Sequence, residues 1–117
     1  MKILVTGANG FIGKNLVKTL QEYNHKVFAV ARKDGSISQE SVWKKFPVVD
    51  IVVHLASKTF VPDSWLRPVD FLETNLMGTL NALDYCKTHN AKLIFVSSSI
   101  YLDTASQPLP ENEAIMA

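Results

Sequence analysis

Several residue types are scarce in this chain, and each scarcity excludes a class of protein. Cys86 is the only cysteine, so no disulfide can form within the chain and a reducing compartment is expected. Lysine and arginine total 12 and aspartate and glutamate total 11, and the net charge of +1 predicts no nucleic-acid-binding surface. No apolar run reaches the roughly 18 residues that a membrane-spanning helix needs. At 117 residues, the chain is expected to form one domain in the cytoplasm.

Glycine is also scarce, which gives weight to a cluster near the N-terminus. Three of the five glycines, Gly7, Gly10 and Gly13, follow an apolar strand at residues 3–5 and open a helix predicted over residues 11–23. One side of this helix is expected to be buried: Ile12, Leu16, Leu20 and Tyr23. Gly7 permits the tight turn, Gly10 leaves room for a diphosphate, and Gly13 lets the helix lie close to the strand. Because free N–H groups and the positive dipole end attract phosphate, the cluster predicts a dinucleotide-binding turn.

Apolar strands alternate with helical segments along the rest of the chain. Strands are predicted at residues 26–31, 50–54 and 92–96, a short helix at 39–46, a loop at 55–67 and a long helix at 68–90. This alternation predicts an α/β fold with a doubly wound parallel sheet of Rossmann type, in the strand order 3-2-1-4-5. Few extended residues fit near Ser36 and Ile37, so the third strand is expected to be vestigial or absent.

The predicted long helix has two different sides. An apolar side repeats every three or four residues and consists of Val69, Leu72, Leu76, Leu80, Leu83 and Cys86. A second side holds Phe71, Asn75, Gly78 and Ala82. Glycine inside a helix costs about 1 kcal/mol relative to alanine, so Gly78 indicates a very close packing contact. Asn75 needs hydrogen-bond partners, either as a core asparagine or as a residue that orients a functional site from the helix.

Charged and polar residues follow the predicted strands at the edge where a parallel sheet binds ligands. Arg32 and Lys33 suit a 2′-phosphate, which slightly favours NADP over NAD, although Asp34 is able to turn toward the ribose instead. His54 ends its strand as either a structural or a catalytic side chain. Residues 97–99 are three serines that form either a polar turn or donors to a substrate oxygen. Without a cysteine pair or a spaced cluster of histidine and aspartate, no metal site is predicted.

The motifs, taken in order, resemble those of one known family. They lie at residues 6–13, 50–56, 75–83, 95–101 and 108–113, and together they extend over the whole chain. They resemble the extended short-chain dehydrogenases/reductases, specifically the NAD-dependent epimerase/dehydratase family that acts on nucleotide sugars. The resemblance implies that residues 1–117 are the NAD(P)-binding part of an epimerase, dehydratase or reductase. Its implied partners are the dinucleotide and a nucleotide-sugar substrate.

The resemblance also implies a set of site residues. The cofactor-binding positions are Gly7, Asn9, Gly10, Phe11, Ile12 and Gly13 around the pyrophosphate, Arg32 by the adenosine ribose, Leu55, Ala56 and Ser57 on the adenine and nicotinamide-ribose wall, Asn75 as support, and Ser97. The catalytic serine is implied at Ser99 when counted from the strand, or at Ser98 when counted back from Tyr101.

One motif of the resembled family is not found in this sequence. Its catalytic Tyr-x-x-x-Lys is expected beyond Glu113, and neither Tyr85 nor Tyr101 has a lysine four residues later. The chain is therefore expected to be a truncated form that binds a dinucleotide without turnover. The alternative is a non-catalytic module that senses NAD(P) or binds a partner. Apolar surface around Val96, Ile100 and Leu102 is expected to favour a homodimer.

Overall fold

A computed structural model describes residues 1–97 of the chain. Four parallel strands form one sheet: β1 Lys2–Thr6, β2 Lys26–Val30, β3 Ile51–His54 and β4 Lys92–Phe95. They lie in the order β2-β1-β3-β4, and side chains from helices cover both faces of the sheet. The doubly wound α/β class is therefore confirmed. This order differs from the predicted 3-2-1-4-5 only by lacking the third strand, which was itself expected to be vestigial or absent, since residues 1–97 contain no strand between β2 and β3 in sequence.

A short irregular segment follows β2, where the third strand was expected to be vestigial or absent. Arg32–Asp34 forms a 3-10 turn, and Ile37 is buried without joining the sheet. The Ile37 carbonyl oxygen accepts hydrogen bonds from Trp43 Nε1 at 2.8 Å and from Asn81 Nδ2 at 2.9 Å. Two side chains thus satisfy a buried backbone group that strand pairing would otherwise satisfy.

The helices between the strands include the two that the sequence predicted most clearly. Their bounds are α1 Phe11–Glu22, α2 Glu40–Trp43, α3 Val61–Leu66, α4 Pro68–Leu72 and α5 Gly78–His89, with a π-helical segment at Glu73–Met77 between the last two. We refer to the continuous helical residues 68–89 as the long helix. α2 is shorter than the predicted helix because Lys45 and Phe46 extend it only through turn-like hydrogen bonds to the residues three positions earlier.

The prediction of a loop over residues 55–67 was wrong in its second half. α3 occupies residues Val61–Leu66, with proline at its start and Asp63 in its first turn. Both features favour a helix start, since proline has no N–H to leave unpaired there and a carboxylate complements the positive helix end.

The two faces of the sheet have separate cores. On one face, side chains of β1 and β3 contact α1, and the residues involved are Ile3, Val5, Val53, Leu16, Val17 and Leu20. On the other face, the central strands contact α2 and α5 through Leu4, Val52, Trp43, Ala82, Tyr85 and Cys86. Strands buried on both faces explain the nearly continuous apolar runs in the sequence.

Two apolar helix sides identified in the sequence are exposed at least in part, and only Leu16 and Leu20 of the α1 side reach the core. Ile12 and Tyr23 are 62% and 73% exposed, because α1 contacts the sheet through the middle of the helix and these residues lie at its two ends. The predicted apolar side of the long helix also faces outward, except at Cys86: Val69, Leu72, Leu76, Leu80 and Leu83 are all exposed. Gly78 and Ala82 approach the core instead, since small side chains permit the closest packing. Periodicity identifies an apolar side of a helix but not the surface that covers it.

Candidate functional site

The turn between β1 and α1 brings the three clustered glycines together. Gly7 has a φ of +68°, a conformation that favours glycine, and its carbonyl oxygen accepts a hydrogen bond from the Gly10 N–H at 3.0 Å. A methyl group at Gly13 would collide with the same carbonyl oxygen and would lie 2.8 Å from Ala8 Cα. Gly13 is therefore where α1 and the turn approach most closely.

The start of α1 is open. Gly10 precedes the helix and provides no side-chain cap, and the Lys14 N–H donates to the Gly10 carbonyl oxygen at 2.9 Å. The N–H groups of residues 11–13 precede that first helical hydrogen bond. A methyl group at Gly10 would come close only to the Gly7 carbonyl oxygen, at 3.3 Å, so the described residues leave the space beside the helix start free. Free amides at a positive helix end fit a diphosphate group.

A cavity of about 780 Å³ adjoins this turn at the carboxyl ends of β1, β2 and β3. Seven predicted site residues line it: Gly7, Asn9, Gly10, Arg32, Leu55, Ala56 and Ser57. Five others do not: Phe11, Ile12, Gly13, Asn75 and Ser97. The side chains of Phe11 and Ile12 are exposed, and the N–H groups of both residues lie at the open start of α1. We call this space the candidate cleft, and residues 55–58 its wall.

Further residues line the candidate cleft that the sequence did not single out. They are Ser36, Ile37, Ser38, Lys58, Asp70, Glu73 and Thr74, among others. Glu73 and Thr74 follow Asp70 by three and four residues on the long helix, so all three lie on one side of it. The sequence pattern could have identified this polar side of the helix. Residues 36–38 had no such pattern, because their place depends on contacts with distant parts of the chain.

Comparison with known proteins decides the family. The model of the NAD dependent epimerase/dehydratase family matches residues 3–116. The chain belongs to this family. The GDP-6-deoxy-D-mannose reductase of Pseudomonas aeruginosa is 31% identical over an alignment of 123 residues including gaps, which covers 98% of this chain and 40% of that protein. The GDP-6-deoxy-D-talose 4-dehydrogenase of Aggregatibacter actinomycetemcomitans is 43% identical over 89 residues, which cover 71% of this chain and 29% of that protein. The chain thus spans less than half the length of these curated relatives.

Solved structures of similar proteins have the same fold. Pal from Bacillus thuringiensis matches with a TM-score of 0.87 and 27% identity, over 99% of this chain and 45% of that one. MoeE5 in complex with UDP-glucuronic acid and NAD matches with a TM-score of 0.82 and 26% identity, over 99% of this chain and 43% of that one. The epimerase/dehydratase fold seen here therefore carries a dinucleotide and a nucleotide sugar in that neighbour.

In this epimerase/dehydratase chain, two cations mark the end of the candidate cleft beside β2. Arg32 and Lys33 line it, and neither has an ion-pair partner within residues 1–97. Asp34 instead folds back, and its Oδ2 accepts a hydrogen bond from the Ala31 N–H at 2.9 Å. The carboxylate therefore caps the 3-10 turn and does not line the candidate cleft.

Asn75 supports the wall of the candidate cleft from the long helix. Its Oδ1 accepts a hydrogen bond from the Lys58 N–H at 2.8 Å, and its Nδ2 donates to the Lys58 carbonyl oxygen at 3.0 Å. Asn75 lies in the π-helical segment, where the Thr79 hydroxyl donates to the Asn75 carbonyl oxygen at 2.6 Å. The half-buried Asn75 side chain is thus satisfied by the backbone of the wall, as both interpretations left open by the sequence require.

Thr6 supports the same wall from β1. Its Oγ1 accepts hydrogen bonds from the N–H groups of Leu55 and Ala56, each at 3.1 Å, and lies 2.8 Å from His54 Nδ1. Thr6 and His54 are both buried, and burial lowers the pKa of His54 below its ordinary value of 6.5. Thr6 was missed in the sequence because threonine at a strand end has no distinctive pattern.

The predicted serines lie at the end of the described chain. Ser97 follows β4 and is exposed, and Ser98 and Ser99 lie outside the described residues. None of the helices in residues 1–97 is long and apolar enough to cross a membrane. The same residues contain no group of three or more histidine, cysteine, aspartate or glutamate side chains that would hold a metal ion.

Proposed function

We propose that this chain is the NAD(P)-binding part of a nucleotide-sugar epimerase, dehydratase or reductase, and that the dinucleotide binds in the candidate cleft. The observation that carries this proposal is the uncapped start of α1, which adjoins a cavity of about 780 Å³ with no side chain between them at Gly10. Membership of the family and the NAD-bound structural neighbour support it.

Each part of the candidate cleft has a separate task in this proposal. Gly7, Gly10 and the N–H groups of residues 11–13 would hold the diphosphate, Arg32 would face the adenosine ribose, and residues 55–57 would flank the adenine and the nicotinamide ribose. A bound nicotinamide supplies reversible hydride exchange with a carbon of the sugar. Ser99, or Ser98 in the alternative count, would hydrogen-bond the reacting sugar hydroxyl.

Isothermal titration of the 117-residue chain with NAD and with NADP tests the binding site. We expect one molecule bound per chain, and we expect adenosine, which lacks the diphosphate, to bind far more weakly. Heat from neither dinucleotide, in a chain shown by circular dichroism to be folded, would overturn the proposal.

NADP is the slightly favoured cofactor. Arg32 and Lys33 line the ribose end of the candidate cleft while the Asp34 carboxylate is engaged by Ala31, so positive charge faces a 2′-phosphate there. The substitution Arg32→Ala should weaken NADP binding by about tenfold and NAD binding by less than about threefold. Lys18→Ala is the matched control, because Lys18 is an exposed cation on α1 that does not line the candidate cleft. Tighter binding of NAD than of NADP by the unmodified chain would reverse the preference.

The 117-residue chain is proposed to bind the dinucleotide without turnover. The support is in the sequence, because none of its three tyrosines has a lysine four residues later. Steady-state oxidation or reduction of a GDP- or UDP-sugar by the purified chain, followed by nicotinamide absorbance, would contradict this. The alternative is a non-catalytic NAD(P)-sensing or interaction module, which predicts that a longer chain with these residues at its start also lacks the Tyr-x-x-x-Lys motif. A longer chain with these residues at its start that turns over a nucleotide sugar would exclude the alternative.

Self-association and location complete the proposal. The exposed apolar side of the long helix supports a homodimer, and light scattering that shows only monomer across a wide concentration range would exclude it.

Cys86 is buried and unpaired, and burial raises the pKa of its thiol. A single protected thiol supports a reducing compartment, which we propose to be the cytoplasm, and fractionation of the expressing cells tests that location.

A further inference from the structure

Thr6 and His54 are the last residues of two adjacent parallel strands, and their side chains lie next to each other on the same face of the sheet. They are register partners of β1 and β3, and the Thr6 Oγ1 and His54 Nδ1 atoms lie 2.8 Å apart. Thr6 is fully buried and His54 is 4% exposed. No solvent therefore competes for this hydrogen bond, and the two side chains must satisfy each other.

The hydrogens around Thr6 can be assigned by counting. A hydroxyl group has two acceptor lone pairs and one hydrogen to donate. The Leu55 and Ala56 N–H groups occupy the two acceptor positions of Thr6 Oγ1. The hydroxyl hydrogen is thus directed at His54 Nδ1, which must be an unprotonated acceptor, and the ring proton of neutral His54 lies on Nε2. His54 Nε2 has no hydrogen-bond partner among residues 1–97, so Nδ1 makes the only polar contact of the ring there.

We propose that neutral His54 is a positioning residue for the candidate cleft. By accepting the Thr6 hydroxyl hydrogen, it keeps both lone pairs of Thr6 Oγ1 aimed at the Leu55 and Ala56 amides and so fixes the start of the wall. The expected consequence is tighter binding of the dinucleotide, and this part of the inference rests on the proposed function.

The position of the wall sets the width of the candidate cleft. The wall directly contacts the glycine turn, since a methyl group at Gly7 would lie 2.8 Å from the Ala56 nitrogen. Asn75 holds the other end of the wall at Lys58. The wall is therefore fixed at both ends, and loosening the Thr6 end changes the distance between the wall and the diphosphate-binding turn.

Protonation of His54 would break this arrangement. A proton on Nδ1 would face the Thr6 hydroxyl, whose lone pairs are already occupied, and one wall amide would lose its acceptor. The Trp43 ring lies 6.2 Å from the His54 ring, and the titratable groups that α5 contributes to the core on this face of the sheet are Tyr85 and Cys86. Burial raises the pKa of both, so both stay neutral, and residues 1–97 place no charged partner against the His54 ring.

Four variants of the 117-residue chain test the inference. His54→Leu removes the acceptor, Thr6→Val removes the hydroxyl with little change in shape, and His54→Asn keeps an acceptor oxygen near the Nδ1 position while it cannot be protonated. Val52→Ala is the matched control, because Val52 is fully buried on the same side of β3 and has no contact with the wall amides through hydrogen bonds.

The first measurement is amide hydrogen exchange without any dinucleotide. Relative to the amides of Ile51–His54, those of Leu55 and Ala56 should exchange about tenfold faster in His54→Leu and Thr6→Val, and within about twofold of the unmodified chain in His54→Asn. Val52→Ala should show no selective change at these two amides. Equal effects of His54→Leu and Val52→Ala, or an His54→Asn chain that behaves like His54→Leu, would overturn the inference.

The second measurement is dinucleotide affinity by isothermal titration. His54→Leu should weaken binding by about tenfold, and the double variant Thr6→Val/His54→Leu should be no more than about twofold weaker than Thr6→Val alone, because both remove one interaction. Burial lowers the pKa of His54, so the unmodified chain should keep its affinity at pH 6.5 and lose it only as the pH falls through that lowered pKa, while His54→Asn keeps it throughout. Additive losses of affinity in the double variant would contradict the positioning role, and so would the same pH dependence of affinity in His54→Asn as in the unmodified chain.

Absence of binding by the unmodified chain would overturn the proposed function instead, and the exchange data would still decide the role of His54. If His54→Leu fails to fold, the comparison of Thr6→Val with His54→Asn decides it.

Discussion

Ile37 packs so closely against Gly78 that a methyl group at Gly78 would lie 2.6 Å from Ile37 Cδ1. Ile37 is buried where the third strand was expected to be vestigial or absent, and its neighbours Ser36 and Ser38 line the candidate cleft. A glycine on the long helix therefore provides the space that lets one isoleucine anchor a segment without strand pairing. This contact fixes the edge of the candidate cleft beside β2.

The contact between Ile37 and Gly78 predicts that Gly78→Ala destabilises the unmodified chain but stabilises a chain in which the Ile37 side chain is shortened. In the unmodified chain, Gly78→Ala should lower the free energy of unfolding by up to about 2 kcal/mol, since overpacking costs about 1–3 kcal/mol and the helix preference of alanine offsets about 1 kcal/mol. In an Ile37→Ala background, which lacks both Cδ1 and Cγ1 and leaves only Cβ at 3.7 Å, the same substitution should raise it by up to about 1 kcal/mol. Urea unfolding of the four proteins measures both values. Equal effects in the two backgrounds would mean that Ile37 is not the reason for glycine at position 78.

His54 predicts how stability depends on pH. Burial lowers its folded-state pKa below the ordinary value of 6.5, so the unfolded chain binds the proton more readily. The contribution of neutral His54 is therefore complete above pH 6.5 and declines as the pH falls from there toward the lowered folded-state pKa. Thermal unfolding between about pH 5 and about pH 8 should show this decline, and His54→Asn should reduce it. His25→Asn, a change at the half-buried residue that precedes β2, is the control that should leave the decline in place. An undiminished decline in His54→Asn would assign the proton uptake to other groups.

An added methyl group should act mainly on stability at Gly13 and mainly on NADP binding at Gly10. Gly13→Ala should lower the free energy of unfolding by about 1–3 kcal/mol, because its methyl group collides with the Gly7 carbonyl oxygen. Gly10→Ala should cost less than about 1 kcal/mol, since Gly10 has an extended backbone with φ −72° and meets no close atom beyond that carbonyl. Its methyl group instead occupies the approach to the α1 amides, so NADP affinity should fall by at least about tenfold. Calorimetry and urea unfolding on both variants separate the two effects. Unchanged NADP affinity in folded Gly10→Ala would place the diphosphate elsewhere.

Local patterns were sufficient to predict the sheet and the glycine turn. Gly7, Gly10 and Gly13 act on residues within a few positions of one another, and apolar runs identify the strands regardless of what covers them. The strand order followed from chain connectivity, which restricts parallel sheets to few arrangements. The position of Arg32 at the ligand-binding edge could be predicted because Arg32 comes directly after a strand, and Arg32 does line the candidate cleft.

Contacts between distant positions were beyond prediction from local patterns. Asn75 binds the Lys58 backbone across 17 positions, and Thr6 binds the Ala56 amide across 50. Both depend on how the sheet and the long helix come together, and neither changes the local sequence pattern. The close packing contact expected at Gly78 is present, but its partner Ile37 could not be predicted for the same reason, because that contact joins distant parts of the chain.

The orientation of the long helix predicts different costs for two substitutions on it. Leu80 is 47% exposed and Ala82 is fully buried, so Leu80→Ala should lower the free energy of unfolding by less than about 1 kcal/mol, whereas Ala82→Leu should lower it by about 2 kcal/mol or more. Leucine and alanine are both strong helix formers, so helix preference contributes little to either change. Urea unfolding measures both values. The same side of the helix carries Asn75, so Ala82→Leu should also speed amide exchange at Lys58, because pushing the helix outward pulls Asn75 from the wall. A larger cost for Leu80→Ala than for Ala82→Leu would mean that the leucine side is the one that packs, and the support of the wall by Asn75 would have to be abandoned with it.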